Sequence, residues 1–247
     1  MSRDWDFYFC RVDDKPASVF VDLGVVQEVV AKFPHMAYMR VYLRIPRPDG
    51  LSSREEFESL TAIEGALESP LTSSKTTVYI GRNTSDGCRD FYCYTNKPQD
   101  WGRFVDSLMR SFPGYEFDYD TREDPEWKTY FGFLYPSEED RERIQNRRTC
   151  ESLEKNGDTL DRAREIDHWI YFCDENLASC FFQKASELGF RERTRSKQEG
   201  EEEKYIVQIF RIDTPSFDNI DSVTLPLFRL AKEYGGSYDG WETQVVS

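Results

Sequence analysis

Twice along the chain, short aromatic and β-branched runs alternate with amphipathic stretches in the order β-α-β-β-α-β, over residues 37–120 and again over 167–246. No other feature restricts the fold as tightly, because this is the order of the split βαβ, or ferredoxin-like, domain. In the first stretch, residues 37–45 read as a strand stopped by Pro46, Pro48, Asp49 and Gly50. Ser52 or Ser53 ahead of Glu55 and Glu56 is an N-cap signal, and Phe57, Leu60, Ile63 and Leu67 follow at helical spacing. Residues 76–82 and 88–95 are strands joined by a tight turn at Asp86-Gly87. Residues 99–111 carry Trp101, Phe104, Val105 and Leu108 as a helical stripe, Phe112-Pro113-Gly114 stops it, and residues 115–119 supply the fourth strand.

Upstream, residues 4–12 alternate around Trp5, Phe7 and Phe9, residues 13–16 turn, and residues 17–23 return, which predicts an added N-terminal hairpin. Residues 124–136 are aromatic-rich and close this half. Residues 137–156 are charged and helix-prone, and read as the connection between the halves or the start of the second. There, residues 167–174, 190–196, 204–213 and 237–246 are strands. Residues 176–188 form a helix with Leu177, Phe181, Phe182, Ala185 and Leu188 inward, and residues 216–234 another, broken or bent near Pro226. The expectation is an α+β protein of two ferredoxin-like (βαββαβ) domains, 1–136 and 137–247, the first extended by the hairpin.

The formal net charge is −14. That balance argues against free nucleic acid as the main partner, since such binding neutralises phosphates with cations. It favours a basic protein surface instead. Aromatic residues at 15% separate the chain from disordered sequences. No apolar run reaches the ~18 residues of a membrane span, and the polar start Met1-Ser2-Arg3-Asp4-Trp5-Asp6 has no signal-peptide core, so no membrane partner and no export are expected. Six cysteines are scattered without a Cys-x-x-Cys pair, and Cys10, Cys93 and Cys173 sit in strand-like runs where a thiol packs as a small hydrophobe. Reduced thiols and a cytoplasmic location are the expectation. With only His35 and His168, a zinc site has little support, and no cofactor is expected.

The run Tyr238-Asp239-Gly240-Trp241-Glu242 admits two readings. Gly240 and Asp239 can close a turn while Trp241 packs on a sheet. Alternatively the run is an aromatic and acidic contact patch, since Trp and Tyr concentrate at interface hot spots. The candidate partner-binding residues are Tyr238, Asp239, Trp241 and Glu242, together with Glu201, Glu202 and Glu203 from an acidic run that is either a solvated loop or a dock for an Arg/Lys-rich segment. Asp167 and His168 cannot easily form a dyad, because neighbours on a strand face opposite ways. Asp4, Asp6, Asp13, Asp14 and Asp22 read as a solvated face, although paired carboxylates can do acid–base work or hold a divalent ion. No catalytic set and no metal-ligating set emerges.

The last ~90 residues resemble the RraB family, regulators of ribonuclease E activity B. The resemblance rests on Gly157-Asp158, the strand from Asp167 to Phe172, Leu188-Gly189-Phe190, and the end from Gly235 to Thr243, of which Tyr-Asp-Gly-Trp-Glu is the most specific piece. Residues 1–136 resemble the uncharacterised bacterial domain of unknown function 695, through Trp5-Asp6-Phe7-Tyr8, the stretch from Asp14 to Leu23, Asp49-Gly50-Leu51 and Leu134-Tyr135-Pro136. The first resemblance implies a ferredoxin-like domain and a protein that inhibits an endoribonuclease by binding it, without catalysis. The second brings no activity.

Three functions remain in competition. The chain is a non-enzymatic acidic protein that regulates a ribonuclease E-like enzyme by contact; or it is an immunity protein that neutralises a toxin with the same electrostatic logic; or it is a carboxylate-based hydrolase, which would need a concave pocket of acids with shifted pKa values. The first is the reading adopted, with a basic protein, an endoribonuclease or a toxin, as the partner.

Overall fold

Two-residue turns build the first sheet. Asp13 and Asp14 (φ 48° and 62°) fold β1 (Trp5–Val12) onto β2 (Lys15–Asp22), and Asp86 and Gly87 (φ 51° and 74°) fold β4 (Thr77–Ser85) onto β5 (Cys88–Thr95). Both pairs have positive φ at each central residue, the conformation whose twist matches the flanking strands. The computed structural model describes residues 4–198 and 204–246 and divides the chain into two units, residues 1–136 and 137–247. It is a mixed α and β structure with one antiparallel sheet in each unit.

In the first unit, β3 (His35–Tyr42) and β6 (Phe117–Glu123) complete a six-stranded sheet of order β1-β2-β4-β5-β3-β6. The short α1 (Gln27–Val30) leads into β3. One face is covered by α2 (Phe57–Leu71) and α3 (Trp101–Met109), which bury Leu60, Ile63, Leu67, Trp101 and Val105 against Met39, Val41, Tyr79 and Phe91. The other face is closed by residues 124–136. Trp127 stacks on Tyr94 with ring centroids 3.8 Å apart and donates its indole N–H to the Phe33 carbonyl at 2.9 Å, and a π-helical turn follows at Tyr130–Leu134.

Two expectations change here. The α2 helix starts at Phe57 without a side-chain cap, because Glu56 turns its buried carboxylate back to accept from the amides of Arg44 (2.9 Å) and Ile45 (3.0 Å). The alternation in β1 also gives way beyond Trp5, which stacks on the Tyr79 ring. Tyr8 is buried, donating to the Leu134 carbonyl at 3.0 Å, while Phe9 is 62% exposed. As an edge strand, β1 leaves part of its aromatic face uncovered.

The second unit has a four-stranded sheet, β10-β7-β9-β8, formed by β7 (Arg164–Phe172), β8 (Arg191–Gln198), β9 (Lys204–Asp213) and β10 (Ser237–Glu242). Counted from its own first strand, this order is 4-1-3-2, and β6-β3-β5-β4 of the first sheet has the same order. Helices α5 (Glu175–Glu187) and α6 (Ile220–Glu233) cover one face, burying Phe181, Ala185, Val223 and Leu227 against Ile170, Phe172, Val207 and Ile209. The charged α4 (Glu138–Lys155) belongs to this unit: Cys150 and Leu153 share a core cluster with Ile166, Ile220 and Trp241. Ser137 and Asp174 cap α4 and α5 through the amides of Asp140 (3.1 Å) and Asn176 (2.7 Å).

Details of the helices depart from the sequence pattern. The inward stripe of α5 is Ala178, Phe181 and Ala185, so Leu177 and Leu188 face solvent. Helix α6 begins at Ile220 and runs on through Pro226. Strand β10 ends at Glu242, where the chain leaves the sheet. Gly236 lies against the Phe172 ring so closely that an added Cβ would stand 2.3 Å from Cε1.

Candidate functional site

Alternation along β7 separates two chemistries. Ile166, His168, Ile170 and Phe172 are buried beneath the helices, and Glu165, Asp167, Trp169 and Tyr171 lie on the helix-free face. Asp167 and His168 therefore never meet. His168 Nδ1 lies 2.8 Å from the Tyr238 hydroxyl, and its ring packs edge-on to Phe190. Burial, with the Arg211 charge adding to it, pushes His168 down to about 3, so it is a neutral core side chain.

The helix-free face carries a cleft of 710 Å³ lined in part by Glu165, Asp167, Arg193 and Glu242. A β-bulge places the arginine. The register shifts between Glu192 and Thr194, so Arg193 is an extra residue of the edge strand β8. Thr194, past the bulge, faces Gln208 on this side, and Arg195 turns to the helix side, where it donates to Ser179. The Arg193 guanidinium lies over the Phe210 ring at 4.0 Å. It donates to Asp167 through Nε (2.9 Å) and to Glu165 through Nη2 (2.6 Å), and these hydrogen bonds, Asp167 first, raise its pKa. Gln208 donates to Asp167 as well, at 3.2 Å.

Glu242 stands directly opposite Asp167 across the β10–β7 pair and has no cationic partner among the described residues. Like charges in that position repel unless a cation is near. Arg164, also on the cleft wall, spends its donors elsewhere: on Asp158 (2.6 Å), Thr243 (3.1 Å) and the Arg162 carbonyl (3.2 Å). Burial works to raise the Asp158 pKa, yet the amides of Val246 and Leu160 and the Arg164 guanidinium hold it below the ordinary carboxylate range. Three carboxylates thus face one guanidinium in the cleft. This arrangement attracts cations, and among the described residues of the cleft no nucleophile and base are in hydrogen-bond contact. Among the described residues, no group of three or more His, Cys, Asp or Glu side chains is placed to hold a metal ion.

The candidate residues read from the sequence fall into three places. Tyr238 and Trp241 are buried in the second unit, Trp241 donating its indole N–H to Asn146 at 2.8 Å. A register shift between Tyr238 and Gly240 lets both rings point inward although they are three residues apart. Asp239 and Glu242 are exposed, and Glu242 alone of the set lines the cleft. Glu201, Glu202 and Glu203 lie outside the described residues. Sequence reasoning missed Glu165, Arg193 and Phe210, and saw Asp167 only as a possible dyad partner. The i, i+2 alternation of Glu165, Asp167, Trp169 and Tyr171 was a usable signal, but no pattern in the sequence reveals the bulge.

Comparison with known proteins adds two family matches. The model described as Family of unknown function (DUF695) matches residues 3–135, and the model described as Regulator of ribonuclease activity B matches residues 143–243. No curated protein matches the chain. Among solved structures, one described as a glycine cleavage system transcriptional repressor is 11% identical, with 85% of this chain and 98% of that one covered at a TM-score of 0.27. An unknown protein from Galdieria sulphuraria is also 11% identical, with 86% and 99% covered at 0.25. Scores this low carry no argument about fold or function.

Proposed function

We propose that this chain, which belongs to the DUF695 family through residues 3–135 and matches the regulator of ribonuclease activity B family over residues 143–243, restrains a ribonuclease E-like enzyme by binding it. It is a cytoplasmic, non-enzymatic inhibitor whose partner presents a basic surface. The observation that carries this reading is that the regulator match falls on the unit whose helix-free sheet face gathers Glu165, Asp167 and Glu242 around one arginine. We read the 4-1-3-2 strand order of both units as ferredoxin-like, which leaves one sheet face of the second unit for a partner.

Acidic side chains on that face steer a basic partner into place, and Trp169, Tyr171 and Phe210, half-buried beside them, supply contact area. Tyr238 and Trp241 contribute by holding β10 against the core, and Asp239 and Glu242 provide its charge. No observation favours the immunity or hydrolase readings over this one. The test is capture of purified ribonuclease E by the full chain, with RNA cleavage assayed at rising concentrations of the chain. Binding that inhibits cleavage, weakens with salt, and is lost in the triple variant Glu165→Gln, Asp167→Asn, Glu242→Gln is the expected result. Absence of binding at low salt refutes the proposal.

A further inference from the structure

The first unit holds a cavity of a different character, 280 Å³ in volume, between β3, β5, β6 and residues 129–133. Its chemistry is that of a donor. Arg122 of β6 has no carboxylate partner among the described residues; its Nη2 donates to Thr129 Oγ1 at 2.7 Å. Thr129 Oγ1 donates in turn to Asp124 Oδ2 (2.8 Å), and the buried Asp124 also accepts from the Tyr94 hydroxyl (2.6 Å) and the amides of Thr129 (2.9 Å) and Lys128 (2.7 Å). Burial works to raise the Asp124 pKa, but these bonds, Tyr94 first, hold it below the ordinary carboxylate range. The relay fixes one edge of the Arg122 guanidinium and leaves the other toward the cavity.

The one carboxylate on the cavity wall is already satisfied. Asp90 is 5% exposed and accepts from Arg40 Nε (2.7 Å) and Nη2 (2.8 Å). That bidentate pair uses two of the Arg40 nitrogens and leaves Nη1. The Tyr38 hydroxyl has no partner among the described residues, and burial, then the Asp118 charge, raises its pKa, so it stays a donor at neutral pH. Met36, Tyr92 and Phe133 form an apolar wall, the two rings meeting edge to face at 5.9 Å.

We infer that this cavity binds a small organic anion, its oxyanion on Arg122, Arg40 and Tyr38 and its apolar body, no larger than one ring, against Phe133 and Met36. Ligand pockets begin at about 300 Å³, which sets the one-ring limit. The site lies wholly in the first unit and does not depend on the ribonuclease reading. Asp118 and Asp120 face Arg40 and Tyr38 across the β3–β6 pair, outside the cavity wall, and lower the affinity without reversing the preference.

The probes are benzoate, its neutral isostere benzamide, and inorganic phosphate, each titrated into the full chain with calorimetry and amide NMR shifts. Benzoate is expected to saturate with shifts confined to β3, β5, β6 and residues 129–133. Benzamide and phosphate should each bind about tenfold more weakly or worse, as loss of a charge-assisted pair or of the apolar contact requires. Arg122→Gln, at an exposed side chain, should lose about tenfold in benzoate affinity with the amide NMR dispersion of the chain retained. Thr129 is a positioning residue: Thr129→Val should weaken benzoate about threefold in the wild-type background and not at all beside Arg122→Gln. Equal binding of benzamide, unchanged affinity in Arg122→Gln, or no localised shift at millimolar benzoate overturns the inference. Phosphate binding as tightly as benzoate overturns its apolar half.

Discussion

Acid should weaken the second unit through one side chain. His168 is buried and neutral, and its pKa falls from 6.5 when unfolded to about 3 when folded, chiefly by burial and then by Arg211. Between those values the unfolded chain binds the extra proton, so stability falls as pH drops through 6.5 and the loss levels off near 3. Each pH unit in that window is worth about 1.4 kcal/mol. From pH 7 to pH 5 the loss is therefore about 2 kcal/mol. Other groups titrate in the same range, so the decisive comparison is with His168→Phe. The variant loses the contact with the Tyr238 hydroxyl, which lowers its stability at every pH, but that constant drops out when only the pH slope is compared. Urea unfolding at pH 7, 6 and 5 should be followed on the Trp241 indole N–H, which reports on this unit because it is bound to Asn146. The wild-type slope should exceed the variant slope by about 2 kcal/mol over the two units. With His35 the only other histidine, the ring resonances of His168 can be assigned and watched directly. Parallel slopes, or a His168 ring that protonates near pH 6.5 in the folded chain, refute the reasoning.

Further outcomes follow from contacts already described. Arg193→Ala frees the carboxylates of Asp167 and Glu165 for a partner's arginine, so it should tighten capture of ribonuclease E several-fold more than Arg191→Ala, which removes the same charge from the same strand; equal effects would show that only net charge matters. Asn146→Ala strands the Trp241 indole together with the groups of Asp221 and Thr224 that now accept from Asn146 at 2.7 Å, and should cost about 2–4 kcal/mol in urea unfolding. Gly236→Ala forces a methyl into the Phe172 ring and should cost about 1–3 kcal/mol by the same measurement.

The order of elements was legible in the sequence because each depends on local signals. Proline and glycine mark the boundaries, alternation marks the strands, and the pairs Asp13-Asp14 and Asp86-Gly87 mark the turns. Errors gathered where a distant contact overrode a local rule. Glu56 gives up a helix start to satisfy the amides after β3, and Leu177 loses its place in the core to Ala178. The cleft was the least legible part. Its cation, Arg193, sits on a bulge, and its shelf, Phe210, comes from another strand; neither is signalled by nearby residues. The cavity in the first unit is equally non-local, since Arg122, Arg40 and Phe133 converge from distant parts of the chain.

In β10 the pairing with β7, not the number of residues between the aromatics, sets which side chains face the core. Tyr238 and Trp241 both point into the core only because Asp239 is absorbed by the shift of register ahead of Gly240. Removing Asp239 would leave Tyr238, Gly240 and Trp241 in plain alternation opposite Ile170, Trp169 and His168, so both rings would stay inward and Glu242 would stay opposite Asp167. The segment is slack built into the strand: one residue more than the ladder needs, whose loss would straighten the strand without changing which side chains face inward.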